Sequence, residues 1–496
     1  MAKKILFLLG SANISGGTYV ILQHAHHMQK LGYNVVIALV FMKTQEFLAL
    51  KNSPDCWHPA IKELTFIHID DAKAYDFDVA IFSWWATLFS FEKINSKSYV
   101  YFVQSIESRF YEGHETFMRH LVNNTYKIGL PCITEAEWIQ EVLKSEYHNY
   151  CELVRNGIIK NIYTDTGEAY AQKSNQQLRI LVEGPLNAAF KNVKRTIELC
   201  RRANVGEIWL LTSSKIDSMT GVSRVFSQVS ISEVPKIYRS CDVLVKLSYV
   251  EGMFGPPLEM FHCGGTAIVY DVTGFDEYIK HNVNALVAKT NDEESVIRYL
   301  HLLHDDRELL SQLNAGANET AKQWINWVQS STLFANAIEK IYANKSLQDQ
   351  IPNIQKNVIK YLRERIRVVT KNQQQTNDKE MEALPLYDSG YYVLTIPVSV
   401  GETQIGIMFG QAYKRFMITK VRVFNQRGET AAQMNISSMH MNQISDNTFE
   451  CQAESGMLVF NVNIASEDLN IQADNQLQVE FHPIMIWENQ LELVNE

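Results

Sequence analysis

Glu251-Gly252-Met253-Phe254-Gly255-Pro256-Pro257-Leu258-Glu259 is the stretch on which the reading of this chain turns. It sets two carboxylates eight positions apart across a glycine-flanked turn. Ahead of it, Asp242-Val243-Leu244-Val245-Lys246-Leu247 has the apolar density of a buried strand. Pro256 and Pro257 suit the first turn of a helix that runs on through Leu258-Glu259-Met260-Phe261-His262-Cys263. The motif therefore stands at the carboxyl end of a strand. Open α/β sheets bind ligands there, because the helix N-terminus turns unpaired N–H groups and a positive dipole end into the crevice.

Neither carboxylate could neutralise a phosphate. Carboxylates accept hydrogen bonds from hydroxyls, so an acidic pair beside an N–H nest suits a ligand with phosphates in its middle and polyols at both ends. A nucleotide-sugar has that form. The plain alternative is a helix with Glu in its first turn and an unrelated surface Glu before it.

At 496 residues the chain is too long for one ordinary core, so two or three domains are expected. Hydrophobic residues at 46% and charged residues at 20% describe a globular, soluble composition. The start, Met1-Ala2-Lys3-Lys4-Ile5-Leu6-Phe7-Leu8-Leu9-Gly10, is basic and then apolar, but its short apolar run leads into a glycine loop and reads as a buried strand rather than a signal peptide. Seven cysteines without a C-x-x-C pair argue for reduced thiols in a cytoplasm and against a disulfide framework or zinc site. A net charge of -9 gives no overall attraction to nucleic acid or anionic lipid.

Strand-like and helix-like segments alternate through the first half, as in βαβ units on a parallel sheet. The strand candidates are residues 4–9, 34–40, 66–69, 78–82, 99–103 and 131–134, with a helix over 18–31. Alternation resumes at 178–182 and continues through 207–212, 242–247 and 266–270. The polar break near 160–177 is the natural interdomain linker. Residues 292–344 read as mainly helical. The spacing predicts a basic amphipathic helix over 353–371, a candidate for peripheral contact with the inner face of a membrane, for packing on a domain, or for homo-oligomer formation. After the polar residues 371–378, segments 391–398, 416–424, 456–464 and 477–481 are strand-like with short turns between them, the pattern of an antiparallel β-sandwich.

Glu251 through Glu259 resembles the E-x7-E motif of the retaining glycosyltransferases of family four, which have the GT-B fold of two facing Rossmann-like domains. The resemblance covers about residues 1–345 and implies an α/β architecture. Its parts would be an acceptor domain at 1–165, a nucleotide-sugar donor domain with crossover helices at 166–345, a helical linker at 346–384 and the β-sandwich at 385–496. By position, Glu251, Met253, Phe254 and Gly255 would face the donor sugar and phosphates, and Glu259 the ribose.

Other segments fit the same picture. Gly10-Ser11-Ala12-Asn13-Ile14-Ser15-Gly16-Gly17 joins the first strand to the first helix without forming G-x-G-x-x-G, which argues against a nicotinamide dehydrogenase. Gly16-Gly17 matches the family's twin glycine near the donor phosphate. Lys191 matches its diphosphate-binding lysine, while Pro185 holds the place of the usual arginine, leaving Lys194 or Arg195 as auxiliaries. Phe82-Ser83-Trp84-Trp85-Ala86-Thr87 and Gln104-Ser105-Ile106-Glu107 look like segments of the WsaF-type rhamnosyltransferases, with Ser105 in place of an Asp. Gln104 stands near the place where many relatives carry a histidine at the catalytic centre, Glu107 is the carboxylate to test as a base, and Trp84 and Trp85 could stack on an acceptor sugar. His24, His26 and His27 read as ordinary packing or surface, and the family needs no metal or other cofactor. Asn156-Gly157 reads as a turn at the domain boundary.

These readings lead to a cytoplasmic transferase passing a sugar from a nucleotide-sugar to a growing, lipid-linked or free glycan. The alternative is a GT-B shell that binds glycans or assembles them without transfer, with an epimerase or phosphorylase as a weaker rival.

Overall fold

The computed structural model describes residues 2–113, 115–174 and 176–362, and beyond them the strands named below. It contains two compact units, Met1–Phe110 with Gly129–Ile354, and Tyr111–Ile128 with Gln355–Glu496.

The first unit holds two parallel sheets. One is built from β1 (Lys4–Leu9), β2 (Asn34–Leu39), β3 (Thr65–His68), β4 (Asp76–Phe82), β5 (Asn95–Val103), β6 (Cys132–Thr134) and β7 (Cys151–Leu153), in the order β3-β2-β1-β4-β5-β6-β7. The other is built from β8 (Leu178–Glu183), β9 (Gly206–Thr212), β10 (Arg224–Ser227), β11 (Val243–Lys246), β12 (Thr266–Tyr270) and β13 (Leu286–Ala288), in the order β10-β9-β8-β11-β12-β13. Parallel strands carry helices on both faces, so the central ones are mostly apolar; Ile5 to Leu9 and Val243 to Val245 are all buried. The expected strands appear close to their anticipated bounds. The strands not anticipated, β7, β10 and β13, are three or four residues long and stand at sheet edges, too short to leave a periodic signal.

In both sheets the strand order reverses at the first strand, between β1 and β4 and between β8 and β11. Crevices open at such reversals, beyond the carboxyl ends of the strands. The loops after β1, β4, β8 and β11 are therefore the ones the topology gathers.

The chain returns to the first domain through the helix Trp327–Ala343. A capping box of Asn326 and Gln329 starts it. It packs on the helix Gly16–Lys30, where Phe334 stacks on the buried His24 ring at 4.2 Å and Trp327 Nε1 donates to the Tyr19 hydroxyl at 3.0 Å. Asn156-Gly157 runs against the start of this return. Ile158 bridges Asn326, and a Cβ on Gly157 would lie 2.4 Å from the Asn326 carbonyl carbon.

In the second unit the described strands are β14 (Ile366–Asn372), β15 (Lys379–Ala383), β16 (Leu386–Asp388), β17 (Tyr391–Val398), β18 (Glu402–Met408), β19 (Arg415–Phe424), β20 (Ala432–Met439), β21 (Met441–Ser445), β22 (Thr448–Cys451), β23 (Met457–Ile464) and β24 (Asn475–Pro483). They form two antiparallel sheets, β15-β14-β18-β23-β20 and β16-β17-β24-β19-β22-β21. Their buried side chains include Ile405 and Ile407 on β18 and Leu477 and Val479 on β24. One expectation is corrected. The helix read over 353–371 ends at Leu362, and Ile366–Asn372 is a strand, because Ile366, Val368, Val369 and Thr370 are β-branched and favour the pleated backbone. The antiparallel part therefore begins ahead of residue 385. Residues 363–365 and 373–378 lie outside those described. No described helix is long and apolar enough to cross a membrane.

Gly157→Ala is expected to destabilise the first unit by about 2 kcal/mol, the scale of an overpacked core site. A thermal unfolding midpoint unchanged from wild type would show that the two backbones separate without cost.

Candidate functional site

Four loops meet at the strand reversals. Gly16 and Gly17 open the helix after β1, whose Ser15 cap accepts from Thr18 N at 3.1 Å. Trp84 follows β4, Lys191 closes the loop after β8, and Glu251 precedes the helix Gly255–His262 after β11. Pro256 and Pro257 occupy that helix's first turn, as their fixed φ and missing donor allow.

Glu251 is buried, and its Oε2 accepts from Lys191 Nζ at 2.7 Å. Its Oε1 lies 3.6 Å from Lys246 Nζ. Burial alone would raise its pKa, but the Lys191 and Lys246 ammoniums outweigh it and hold the carboxyl below its usual range. Lys246, the last residue of β11, is 2% exposed and donates to Glu183 Oε2 at 2.6 Å. Burial there opposes the charge, and Glu183 and Glu251 more than offset it, so the ammonium is kept. Two acids and two bases thus interlock at the ends of β8 and β11.

Glu259 lies one helical stretch further on. Burial, with Glu183 adding to it, pushes its carboxyl up to about 7, while the Tyr238 and Tyr163 hydroxyls it binds pull the other way. Of the backbone between the two acids, Met253 N is taken by Glu135 Oε1 at 3.1 Å and Gly255 N by Met253 O at 2.9 Å. The Phe254 side chain is fully buried in the second domain's core, so only its backbone can meet a ligand.

The first domain closes over this loop. Trp138 Nε1 donates to Gly252 O at 3.1 Å, Phe110 stacks on Phe190 at 4.7 Å, and Ile231 N donates to Trp57 O at 3.1 Å. Gly252 is required by this approach, since a Cβ there would meet the Gln104 carbonyl oxygen at 1.9 Å. The Gln104 side chain lies over the glycine loop, with Nε2 3.4 Å from Gly17 O.

The remaining candidates divide by burial. Trp85 is buried at 2% exposure and packs within the first domain, whereas half-buried Trp84 meets exposed Phe41 edge to face at 5.5 Å and offers an aromatic corner at the cleft. Glu107 is also buried. Its Oε2 accepts from Trp85 N at 2.9 Å and from the Tyr101 hydroxyl at 3.1 Å, and burial pushes its carboxyl up to about 8. Its observed partners thus fix the Trp84-Trp85 turn. Arg195 pairs with Glu198 and Glu293, and Lys194 is exposed. His24 is buried and held neutral, its pKa brought to about 3 first by burial and then by His27, and the described residues contain no cluster of three or more metal-ligating groups. Glu135, Trp138, Lys246 and Phe41 were not singled out from the sequence. Only a strand-end position marks Glu135 and Lys246 there.

Two facing Rossmann-like domains, with the loops of both strand reversals meeting across one cleft, leave one architecture. The fold is GT-B. Residues 220–323, which span the Glu251–Glu259 motif, match the family model described as Glycosyl transferases group 1. Similar solved structures include sucrose-phosphate synthase from Thermosynechococcus elongatus, with 14% identity and a TM-score of 0.56 over 69% of this chain and 99% of that one. Anabaena HepE in complex with UDP-glucose has 14% identity and a TM-score of 0.53 over 68% of this chain and 100% of that one. A glycosyltransferase from Rickettsia africae has 13% identity and a TM-score of 0.53 over 69% of this chain and 100% of that one. No curated protein matches the chain.

The raised Glu107 carboxyl has a consequence for stability. The folded chain holds that proton to about pH 8 and the unfolded chain releases it near 4.5, so the Glu107 contribution to stability falls as pH rises between those values. Glu107→Gln keeps an acceptor for Trp85 N and cannot ionise. Its unfolding midpoint is expected to overtake that of wild type as pH rises towards 8, and parallel pH profiles would contradict this.

Proposed function

We propose that this GT-B protein is a glycosyltransferase that moves a sugar from a nucleotide-sugar to a growing surface polysaccharide or another glycan, with retention of the anomeric configuration. The observation that carries the reading is Glu251, a buried carboxylate in the loop after β11 with one oxygen held by Lys191 and the other 3.6 Å from Lys246 Nζ. Such a carboxylate suits a sugar hydroxyl, and partly exposed Lys191 is the cation beside it. The match of residues 220–323 to the group 1 model and the fold shared with a UDP-glucose complex support a nucleotide-sugar as donor.

In this reading Gly16 and Gly17 face the donor phosphates, Glu259 the ribose, and Lys191 leaves Glu251 to stabilise the departing diphosphate. Closure of the two domains keeps water from the donor. No dedicated base is needed if the donor phosphate takes the acceptor's proton; Glu107, buried against Trp85 and Tyr101, is then a support of the acceptor side rather than a base. Trp84 with Phe41 would receive the acceptor sugar. Rhamnose as the sugar rests on the likeness of the Trp84-Trp85 and Gln104 to Glu107 segments to rhamnosyltransferases. The two antiparallel sheets of the second unit, read as a sandwich, would hold the polymer and raise its concentration at the cleft.

A panel of nucleotide-sugars, followed by nucleoside diphosphate release with an acceptor glycan, tests this. One donor should be turned over, with kcat/KM lowered at least about 100-fold in Glu251→Ala, and the product's anomeric signals in NMR should match the donor's configuration. Binding without release in the presence of acceptor would instead mark a GT-B protein that has lost transfer, the reading favoured by Pro185 at the place of the family's arginine.

A further inference from the structure

A first-domain carboxylate takes hold of the loop between the two motif glutamates. Glu135 follows β6 and is 5% exposed. Its Oε2 accepts from Asn156 Nδ2 at 2.8 Å, and its Oε1 reaches across the cleft to Met253 N at 3.1 Å. Two more first-domain groups bear on the same residues: Trp138 Nε1 on Gly252 O at 3.1 Å, and the Gln104 carbonyl, against which Gly252 lies too closely for any side chain. Trp138 is itself seated between Arg109, whose guanidinium lies 4.8 Å from its ring, and Gly274 of the second domain. Glu277 completes the contact, accepting from Glu137 N at 2.6 Å and pairing with Arg155 at 3.6 Å.

We propose that Glu135 is a positioning residue of the transfer reaction, holding the Gly252-Met253 peptide, and through it Glu251, in register with the first domain when the cleft is closed. The inference rests on the transferase reading above. A carboxylate is an unusual choice for accepting from one side-chain amide and one backbone amide. Burial, with Glu277 and Glu251 nearby, pushes it up to about 7, so the chain bears the cost of enclosing an acid at a contact between domains. A grip made of one backbone amide and one backbone carbonyl is indifferent to the identity of the Met253 side chain. It sets only where the peptide lies, and a displacement of about 1 Å at a reacting centre is enough to cost about 100-fold in rate. Glu135 touches no reacting atom in this account; it acts through the loop.

The test compares Glu135→Ala, Glu135→Gln and Trp138→Phe in the full chain, by steady-state kinetics, nucleoside diphosphate affinity and hydrogen–deuterium exchange of the peptide spanning 251–258. Glu135→Ala should lower kcat by about tenfold or more, with the affinity for the nucleoside diphosphate within about twofold of wild type, and its loop amides should exchange faster. Glu135→Gln, which retains an acceptor for Met253 N, should recover most of both. Trp138→Phe, which deletes the bond to Gly252 O and trims the ring beside Gly274 while leaving Glu135 in place, should give a smaller loss of the same kind. Unchanged loop exchange in Glu135→Ala, or an equal loss of kcat in Ala and Gln, would overturn the proposal. If Glu135→Ala does not fold, the Gln and Trp138→Phe variants decide it on the same terms. Should the wild type turn over no donor at all, the transferase reading fails, while the exchange comparison still judges the grip.

Discussion

A carboxylate shut away from water keeps its charge only beside a cation, and the site described here is organised by that constraint on Glu251. Lys191 comes to it from the loop after β8 and Lys246 from the end of β11 itself. Lys246 in turn needs Glu183. The four charges balance, with buried Lys246 set between Glu183 and Glu251 and buried Glu251 between Lys246 and Lys191, so each buried charge has two partners of opposite sign. An anionic ligand would change this balance. On the proposed reading it would offer Lys191 a second partner and free Glu251 for a hydroxyl.

The parallel sheets make this possible. Strand order reverses beside β1 in one domain and beside β8 in the other, and each reversal sends neighbouring loops to opposite sides of a crevice. The return helix Trp327–Ala343, whose Phe334 and Trp327 meet His24 and Tyr19 of the first domain, ties the second domain back to the first. The cleft is thereby bounded on one side by a packed hinge and on the other by direct contacts, among them Glu135 with Met253 and Phe110 with Phe190. Acidic groups with raised pKa collect on these boundaries: Glu107 under the tryptophan turn, Glu135 at the loop and Glu259 among tyrosines.

What the sequence disclosed follows from the range of the interactions involved. The strand, glycine turn and double proline around Glu251 are local signals, and the motif was legible from them. So were the long central strands. Lys191 could be placed near the site, but its partner Glu251 is 60 positions away and could not be read. Glu135 and Trp138 meet residues 118 and 114 positions distant, and nothing local sets them apart from surface residues of a helix start. Lys246 read simply as part of a strand. Trp85 and Glu107 follow strands, the position of a cleft residue, but the turn folds both inward. The basic helix was carried too far because Ile366, Val368 and Val369 continue an apolar pattern that fits either period over so short a run.

The most direct measurement is a crystal structure of the protein with a nucleoside diphosphate bound. The account predicts the diphosphate beyond the ends of β8 and β11, facing Gly16 and Gly17, with Lys191 Nζ moved from Glu251 onto a phosphate oxygen. A diphosphate seated elsewhere, or one bound with the Lys191 to Glu251 ion pair intact, would contradict it.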